Sequence, residues 1–101
     1  MSEAPLRKRI LIIDDDPRLR LTVRACLEQN HFETLEAETP HAGIILAGAQ
    51  RPDLVLCDLH LGSGNGLDVL AELRRNRTTG TIPVIIITGT GDATAMRRGI
   101  R

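Results

Sequence analysis

Short runs of aliphatic residues without polar interruption dictate the fold class of this chain. The runs at Arg9–Ile13, residues 54–57 and residues 82–87 are rich in Ile, Leu and Val. A strand that exposes one face alternates apolar with polar residues, whereas a strand buried on both faces has a continuous apolar run. We therefore expect strands of a parallel sheet at these positions. Residues 32–37 are more polar and predict an edge strand.

Helix start signals follow the first two strands. Residues 16–17 (Asp-Pro) and 39–40 (Thr-Pro) each place a good N-cap residue before a proline that suits the first helical position. We expect helices after both pairs, ending at Asn30 and at residues 51–53. Asp92 can cap a further helix that continues to the end of the chain. The apolar residues at helical spacing are Leu19, Val23, Cys26 and Leu27 in the first helix, Ala42, Ile45, Leu46 and Ala49 in the second, and Leu67, Leu70, Ala71 and Leu73 in a third.

Strands that alternate with helices predict the α/β class, a doubly wound parallel sheet with helices on both faces. We expect residues 1–8 to form a lead-in and residues 9–101 to form one domain. The 13 basic and 13 acidic residues cancel, so charge gives no reason to expect direct binding to nucleic acid or to a membrane. No segment has the length of a signal peptide or a membrane span. Cys26 and Cys57 are interpreted as buried free thiols, because their spacing suits no zinc site.

Acidic residues follow two of the buried strands. Asp14 and Asp15 end the first strand, and Asp58 ends the third. The carboxyl ends of parallel strands lie at the same edge of a sheet, and ligands bind where the strand order reverses. In the flavodoxin-like order 2-1-3-4-5, that reversal lies between strands one and three. We therefore expect the three carboxylates to meet in one crevice.

The chemistry of such a cluster favours a bound cation. Carboxylates a few ångströms apart repel each other, and Mg²⁺ is a hard cation that prefers oxygen ligands. It would also neutralise charge on a phosphoryl group during transfer, for which a carboxylate such as Asp58 can be the nucleophile. A single aspartate at a strand end is usually a turn former or a helix cap, and Asp16 and Asp53 are interpreted in that way. A pair of acids ending one strand and a third ending another is rarer by chance.

Four blocks of sequence resemble the receiver domains of bacterial response regulators, in order and in spacing, from about residue 8 to residue 101. The blocks are Ile-Ile-Asp-Asp-Asp-Pro at residues 12–17, Pro-Asp-Leu-Val-Leu-Cys-Asp-Leu at 52–59, Gly-Leu-Asp-Val-Leu at 66–70, and Ile-Pro-Val-Ile-Ile-Ile-Thr-Gly at 82–89. The resemblance implies the flavodoxin-like receiver fold and a cytoplasmic signalling role. A sensor histidine kinase or phosphotransfer protein would supply the phosphoryl group, and the domain would not otherwise be an enzyme.

The resemblance also implies roles for individual residues. Asp58 becomes the phosphoryl acceptor, and Thr88 the hydroxyl that hydrogen-bonds a phosphoryl oxygen after transfer. Asp14 and Asp15 become the acidic pair for Mg²⁺, which Asp58 and the backbone carbonyl of His60 would also bind. Gly89 takes the position where a small residue is needed beside the phosphate.

Two features depart from the family pattern. The loop after Asp58 usually carries a proline where this chain has Gly62, so we expect residues 61–66 to be looser. Family members also have a lysine at the end of a fifth strand and then a fifth helix, and the 101 residues contain about four of the five strand–helix units. Lys8 cannot replace that lysine, because it precedes the first strand, at the opposite end of the sheet. An exposed strand at residues 82–87 could pair with a second copy of the chain.

Other kinds of site fit the sequence less well. His31, His41 and His60 lack ligand spacing. The glycine-rich loop at residues 62–66 fails the dinucleotide-binding pattern because residue 67 is leucine, and the P-loop pattern is absent from the sequence. A haloacid dehalogenase would need an acid at the position of His60. Two hypotheses remain, a phosphate-accepting signalling switch and a degenerate interaction module that is not phosphorylated.

Overall fold

The structure is a computed structural model that describes residues 6–88. The strands are β1 (Arg9–Ile13), β2 (Glu33–Ala37), β3 (Leu54–Asp58), β4 (His60–Leu61), β5 (Gly64–Asn65) and β6 (Val84–Ile87). The helices are α1 (Pro17–Gln29), α2 (Pro40–Gln50) and α3 (Gly66–Arg75). The helix expected after Asp92 and the expected role of Gly89 lie outside the described residues.

Four strands form one parallel sheet in the order β2-β1-β3-β6. This order is that of the first four strands of a flavodoxin-like sheet, which confirms the predicted fold class. The apolar side chains of β1 are buried on both faces, under α1 on one side and α2 on the other. The continuous aliphatic run of β1 therefore reflects its central place in the sheet.

The two proline pairs start helices as predicted. The Asp16 carboxylate accepts hydrogen bonds from the backbone amides of Arg18 and Leu19 at 2.9 and 3.5 Å, and α1 ends at Asn30. The Thr39 hydroxyl accepts a hydrogen bond from the Ala42 amide at 3.1 Å, and α2 ends at Arg51 in a left-handed conformation. Each cap satisfies helical donors that have no partner within the helix.

The predicted buried face of α2 was wrong. Gly43 and Ala47 are the buried residues of this helix, whereas Ala42 and Ala49 are exposed and Ile45 is 57% exposed. The smallest side chains face the sheet because the helix axis approaches β1 closely there. A ranking by hydrophobicity alone favours the larger residues and therefore selects the wrong side of the helix.

Cys26 was also placed wrongly, because its thiol is exposed, whereas Cys57 is buried as expected. In α1 only Leu19, Val23 and Leu27 of the predicted stripe are partly buried. The reason is that arginine side chains of α1 pair with a glutamate of β2 and share the face that meets the sheet. Cys26 lies on the solvent-exposed side of the helix.

The loop after β3 contains a short hairpin that the sequence did not predict. β4 and β5 pair in antiparallel fashion around residues 62–63. The segment predicted to be loose therefore has regular backbone structure. Among residues 6–88, no helix is long and apolar enough to cross a membrane.

The close approach of α2 to β1 can be tested with two glycines of the same helix. A Cβ at Gly43 would overlap with Cδ1 of Ile13 and lie 2.9 Å from its Cγ1, whereas a Cβ at Gly48 would meet nothing within 4 Å. We expect Gly43→Ala to destabilise the fold by about 1–3 kcal/mol through overpacking. We expect Gly48→Ala to stabilise it by about 0.5–1 kcal/mol through helix propensity. Denaturant midpoints measure both, and equal effects of the two substitutions would contradict this packing.

Candidate functional site

The three predicted carboxylates meet at the carboxyl end of the sheet. One oxygen each from Asp14, Asp15 and Asp58 lies within 4.8 Å of the other two. The register explains the approach, because Ile13 of β1 lies beside Cys57 of β3, and the acids follow these two residues. The parallel pairing of neighbouring strands therefore forms the cluster.

Asp14 is the most constrained acid of the cluster. Its side chain is 5% exposed, and its Oδ1 accepts a hydrogen bond from the Asp16 amide at 2.9 Å. Burial raises the pKa of Asp14 above its usual value of 3.8, the Asp16 amide opposes this, and the charges of Asp58 and Asp15 raise the pKa further. The ionised form of Asp14 is therefore disfavoured unless a positive charge compensates.

An arginine of α1 binds the backbone carbonyl group of Asp14. Nη1 of Arg20 donates to the Asp14 carbonyl oxygen at 2.7 Å, and Nε of Arg20 lies 3.0 Å from Oε1 of Glu36. Arg24 pairs with the other oxygen of Glu36 at 3.1 Å. This network was not predicted from the sequence. Two arginines four residues apart on one helix, facing an acid in the neighbouring strand, are the signal that could have identified it.

The other two acids accept hydrogen bonds from the loop that follows β3. The Gly62 amide donates to Oδ2 of Asp15 at 2.9 Å, and the His60 amide donates to Oδ1 of Asp58 at 3.3 Å. Asp15 is exposed and Asp58 is partly buried. The loop that follows β3 therefore holds one oxygen of each of these two carboxylates through a backbone amide.

Gly66 allows the loop to return to the end of β3. Its amide donates to the Leu59 carbonyl oxygen at 2.8 Å, and a Cβ at this position would lie 2.6 Å from the Asp58 carbonyl oxygen. A side chain at residue 66 would therefore displace the backbone of Asp58.

Thr88 follows β6 at the same end of the sheet. It is buried, and it comes directly after Ile87, the register partner of Asp58. The Leu59 amide donates to the Ile87 carbonyl oxygen at 2.8 Å and fixes this end of β6 against β3. Among the described contacts, no hydrogen bond joins the Thr88 hydroxyl to Asp58. The backbone of Lys8 pairs with Glu33 at the start of β2, so Lys8 lies at the opposite end of the sheet.

Cys57 is a nucleophilic side chain next to the site, but it is not activated. Burial raises the pKa of its thiol to about 12, and the charges of Asp58 and Asp14 act in the same direction. The thiolate is the reactive form of cysteine, so Cys57 is inert at neutral pH.

The donor set fits a hard divalent cation. The clustered ligand atoms are carboxylate oxygens, and neither a histidine nor a cysteine belongs to the group among the described residues. Mg²⁺ and Ca²⁺ prefer oxygen ligands, whereas zinc prefers nitrogen and sulfur. A cation would also offset the burial and the charge repulsion that together raise the pKa of Asp14.

The match to the model of the response regulator receiver domain spans residues 10–101, and the chain therefore belongs to this family. It is 34% identical over 95 residues to the phosphate regulon transcriptional regulatory protein PhoB of Escherichia coli (strain K12), which covers 94% of this chain and 42% of PhoB. It is 39% identical over 80 residues to protein PilH of Pseudomonas aeruginosa, covering 79% of this chain and 66% of PilH. The chain thus spans less than half of the length of PhoB.

Among solved structures, a response regulator protein from Burkholderia pseudomallei has a TM-score of 0.75 at 26% identity, covering 92% of this chain and 54% of that one. That structure contains a phosphorylated aspartic acid, a calcium ion and citrate. The family and its relatives show that the chain functions as a phosphorelay receiver. No observation favours the alternative of a degenerate module.

The raised pKa of Asp14 predicts a pH-dependent stability. As the pH rises above 3.8, the carboxyl group of Asp14 loses its proton in the unfolded chain before it does so in the folded chain. The free energy of unfolding therefore falls until the pH passes the higher pKa of the folded state. Above that pKa the free energy of unfolding stays at this lower value. We expect Asp14→Asn to raise the melting temperature at pH 7 in the presence of a chelator, and the gain to vanish below pH 3.8.

The control for this prediction is Asp16→Asn. Asp16 is exposed, contributes a neighbouring charge to Asp14 and caps α1, and asparagine is an equally good cap. We expect a smaller gain from it. The prediction would be contradicted if Asp14→Asn lowered the melting temperature at pH 7 and left it unchanged in acid.

Proposed function

We propose that Asp58 accepts a phosphoryl group from a phosphohistidine, in a reaction that depends on Mg²⁺ held by Asp14, Asp15 and Asp58. The observation that carries this proposal is the convergence of the three carboxylates within 4.8 Å at the ends of β1 and β3. Mg²⁺ would neutralise the charge on the phosphoryl oxygens during transfer. The backbone carbonyl of His60 is proposed as a further ligand.

The hydrogen bonds of Asp58 indicate which oxygen reacts. The His60 amide donates to Oδ1, which leaves Oδ2 free to attack phosphorus. In the transfer an Oδ2–P bond forms and the P–N bond to the donor histidine breaks in line. The departing imidazole nitrogen keeps the electron pair and takes a proton from solvent. The acid anhydride formed on Asp58 is an aspartyl phosphate.

Thr88 is proposed as the group that responds to phosphorylation. It lies one residue beyond the register partner of Asp58, and its hydroxyl is proposed to donate to a phosphoryl oxygen on Asp58. Gly89, the next residue, is proposed to leave space beside the phosphate. The described residues bring no lysine to this end of the sheet, so the hydroxyl would act without a charged partner among them.

The proposed partner is a sensor histidine kinase or a phosphotransfer protein in the cytoplasm. Residues 9–101 are proposed to act as the receiver unit, with no other enzymatic activity and no direct binding to nucleic acid or membrane. The Burkholderia pseudomallei relative supports the chemistry, because it contains both a phosphorylated aspartic acid and a divalent cation.

The acceptor can be tested by mass spectrometry, since the chain contains no Trp or Tyr for fluorescence. We expect acetyl phosphate with Mg²⁺ to add one phosphoryl group that hydroxylamine removes. Asp58→Asn should abolish the addition, and removal of Mg²⁺ should prevent it. Asp53→Asn is the matched control, because Asp53 bonds Arg9 at the opposite end of β3 and should not affect labelling. Persistent labelling of Asp58→Asn would place the acceptor elsewhere.

We also propose that β6 pairs with β6 of a second copy. Among the described residues β6 pairs only with β3, and Ile85 in its middle is 51% exposed. Ile85 lies beside Leu56, which is only partly buried, so an apolar strip continues from the edge into the sheet. An exposed apolar edge offers both unpaired backbone groups and hydrophobic surface to another chain.

Light scattering after size-exclusion chromatography tests this pairing over a range of concentrations. We expect a dimer whose fraction rises with concentration, and a monomer for Ile85→Lys because a charge blocks the edge. The control is Leu21→Lys, a substitution at a residue of α1 that is 60% exposed, which should leave the dimer intact. A wild-type chain that stays monomeric throughout would refute the proposal.

A further inference from the structure

The turn of the β4–β5 hairpin is held against the carboxylate cluster. The hairpin begins two residues after Asp58 and ends where Asn65 caps α3, with the Asn65 side chain accepting from the Asp68 amide at 3.0 Å. Gly66 fixes the far end of the loop through its bond to the Leu59 carbonyl oxygen. Both ends of the hairpin are therefore fixed, and its turn at residues 62–63 has a defined position beside the site.

Gly62 makes the contact between this turn and the site. Its amide donates to Oδ2 of Asp15 at 2.9 Å, across 47 residues of sequence. Among the described residues, this is the only hydrogen bond that the Asp15 side chain accepts. A bond from an amide to an ionised carboxylate is among the stronger hydrogen bonds in proteins.

The consequence for Asp15 follows from its exposure. An exposed carboxylate beyond the end of a strand rotates freely when nothing holds it, and ordering it for a cation costs conformational entropy. The Gly62 amide holds one oxygen, and the other oxygen keeps its lone pairs for a cation. Hydrogen bonds of this kind orient the ligands of metal ions, and their removal typically weakens metal binding by about 10–100-fold.

We propose that the Gly62 amide is a positioning donor that prepares Asp15 for cation binding. The inference rests on the proposed Mg²⁺ site and goes beyond it, because Gly62 is no ligand and lies where receiver domains usually carry proline. Proline has no amide hydrogen, so the usual residue could not make this bond. The departure from the family pattern thus gives the site a donor.

The bond should also act in the reverse direction. If it favours the form of Asp15 that binds the cation, then by linkage the cation must favour the form in which the bond is made. Amide hydrogen exchange at Gly62 should therefore slow when Mg²⁺ binds. This readout does not depend on phosphorylation.

Two substitutions at residue 62 separate the amide from the side chain. Gly62→Ala keeps the N–H, and its Cβ would lie 3.2 Å from Oδ2 of Asp15, a tight contact that requires a shift of only a few tenths of an ångström. Gly62→Pro removes the N–H. A calorimetric titration of the full chain with Mg²⁺ should give an affinity for Gly62→Ala close to that of the wild type. Gly62→Pro should bind about tenfold more weakly or worse.

The effect should depend on the carboxylate of Asp15. In an Asp15→Asn background the substitution Gly62→Pro should change Mg²⁺ affinity little, because the ionised carboxylate that the Gly62 amide positions has been replaced by a neutral amide. Without Mg²⁺, Asp15→Asn should speed amide exchange at Gly62, because a neutral oxygen is the weaker acceptor. A purely structural role of residue 62 would leave the effect of Gly62→Pro on Mg²⁺ affinity independent of Asp15.

Each outcome decides between the two claims. A wild-type chain that binds no Mg²⁺ overturns the proposed site and this inference together. A wild-type chain that binds Mg²⁺, with equal affinity for Gly62→Pro, overturns only the inference. If Gly62→Pro does not fold, the wild-type exchange rate decides, and an amide of Gly62 that exchanges equally fast with and without Mg²⁺ refutes the proposal.

Discussion

The parallel pairing of β1 with β3 is the constraint on which the site depends, because it forces like charges together. Backbone amides that donate hydrogen bonds to the carboxylates reduce this repulsion. Each carboxylate of the cluster accepts one: from Asp16 to Asp14, from His60 to Asp58 and from Gly62 to Asp15. The amides carry partial positive charge and cannot be removed by rotation of a side chain, so they are a fixed part of the electrostatics of the site. They hold the anions in place without neutralising them, which leaves the remaining negative charge to a cation.

The architecture could be predicted from the sequence because its signals are local. An apolar run without alternation reports burial on both faces, and an Asp-Pro or Thr-Pro pair reports a helix start, without knowledge of any partner. The buried face of α2 could not be predicted in this way. It depends on how closely the helix approaches Ile13, and that distance selects Gly43 and Ala47 over the larger Ile45.

The residues of the site likewise include some that local sequence signals predict and others that they do not. The three acids were predictable because strand ends in a parallel sheet must share an edge. The groups that hold them were not, because Arg20 binds a backbone carbonyl oxygen, Gly62 donates its backbone amide, and only the folded chain brings each group near its partner. Gly62 is the clearest case, since glycine alone indicates a flexible loop. The structure shows a hairpin there instead, fixed by a carboxylate 47 residues away.

The distribution of positive charge around the described carboxylates explains why the backbone amides matter to the site. Within residues 6–88, no lysine or arginine side chain forms an ion pair with the three carboxylates. The Arg20 guanidinium binds the carbonyl oxygen of Asp14 and the carboxylate of Glu36 instead. Burial is the main cause of the raised pKa of Asp14, and the uncompensated charges of Asp58 and Asp15 add to it. With no such ion pair among the described residues, the order of the acids depends on amides, and Asp15, as the exposed member of the cluster, depends on the amide of Gly62.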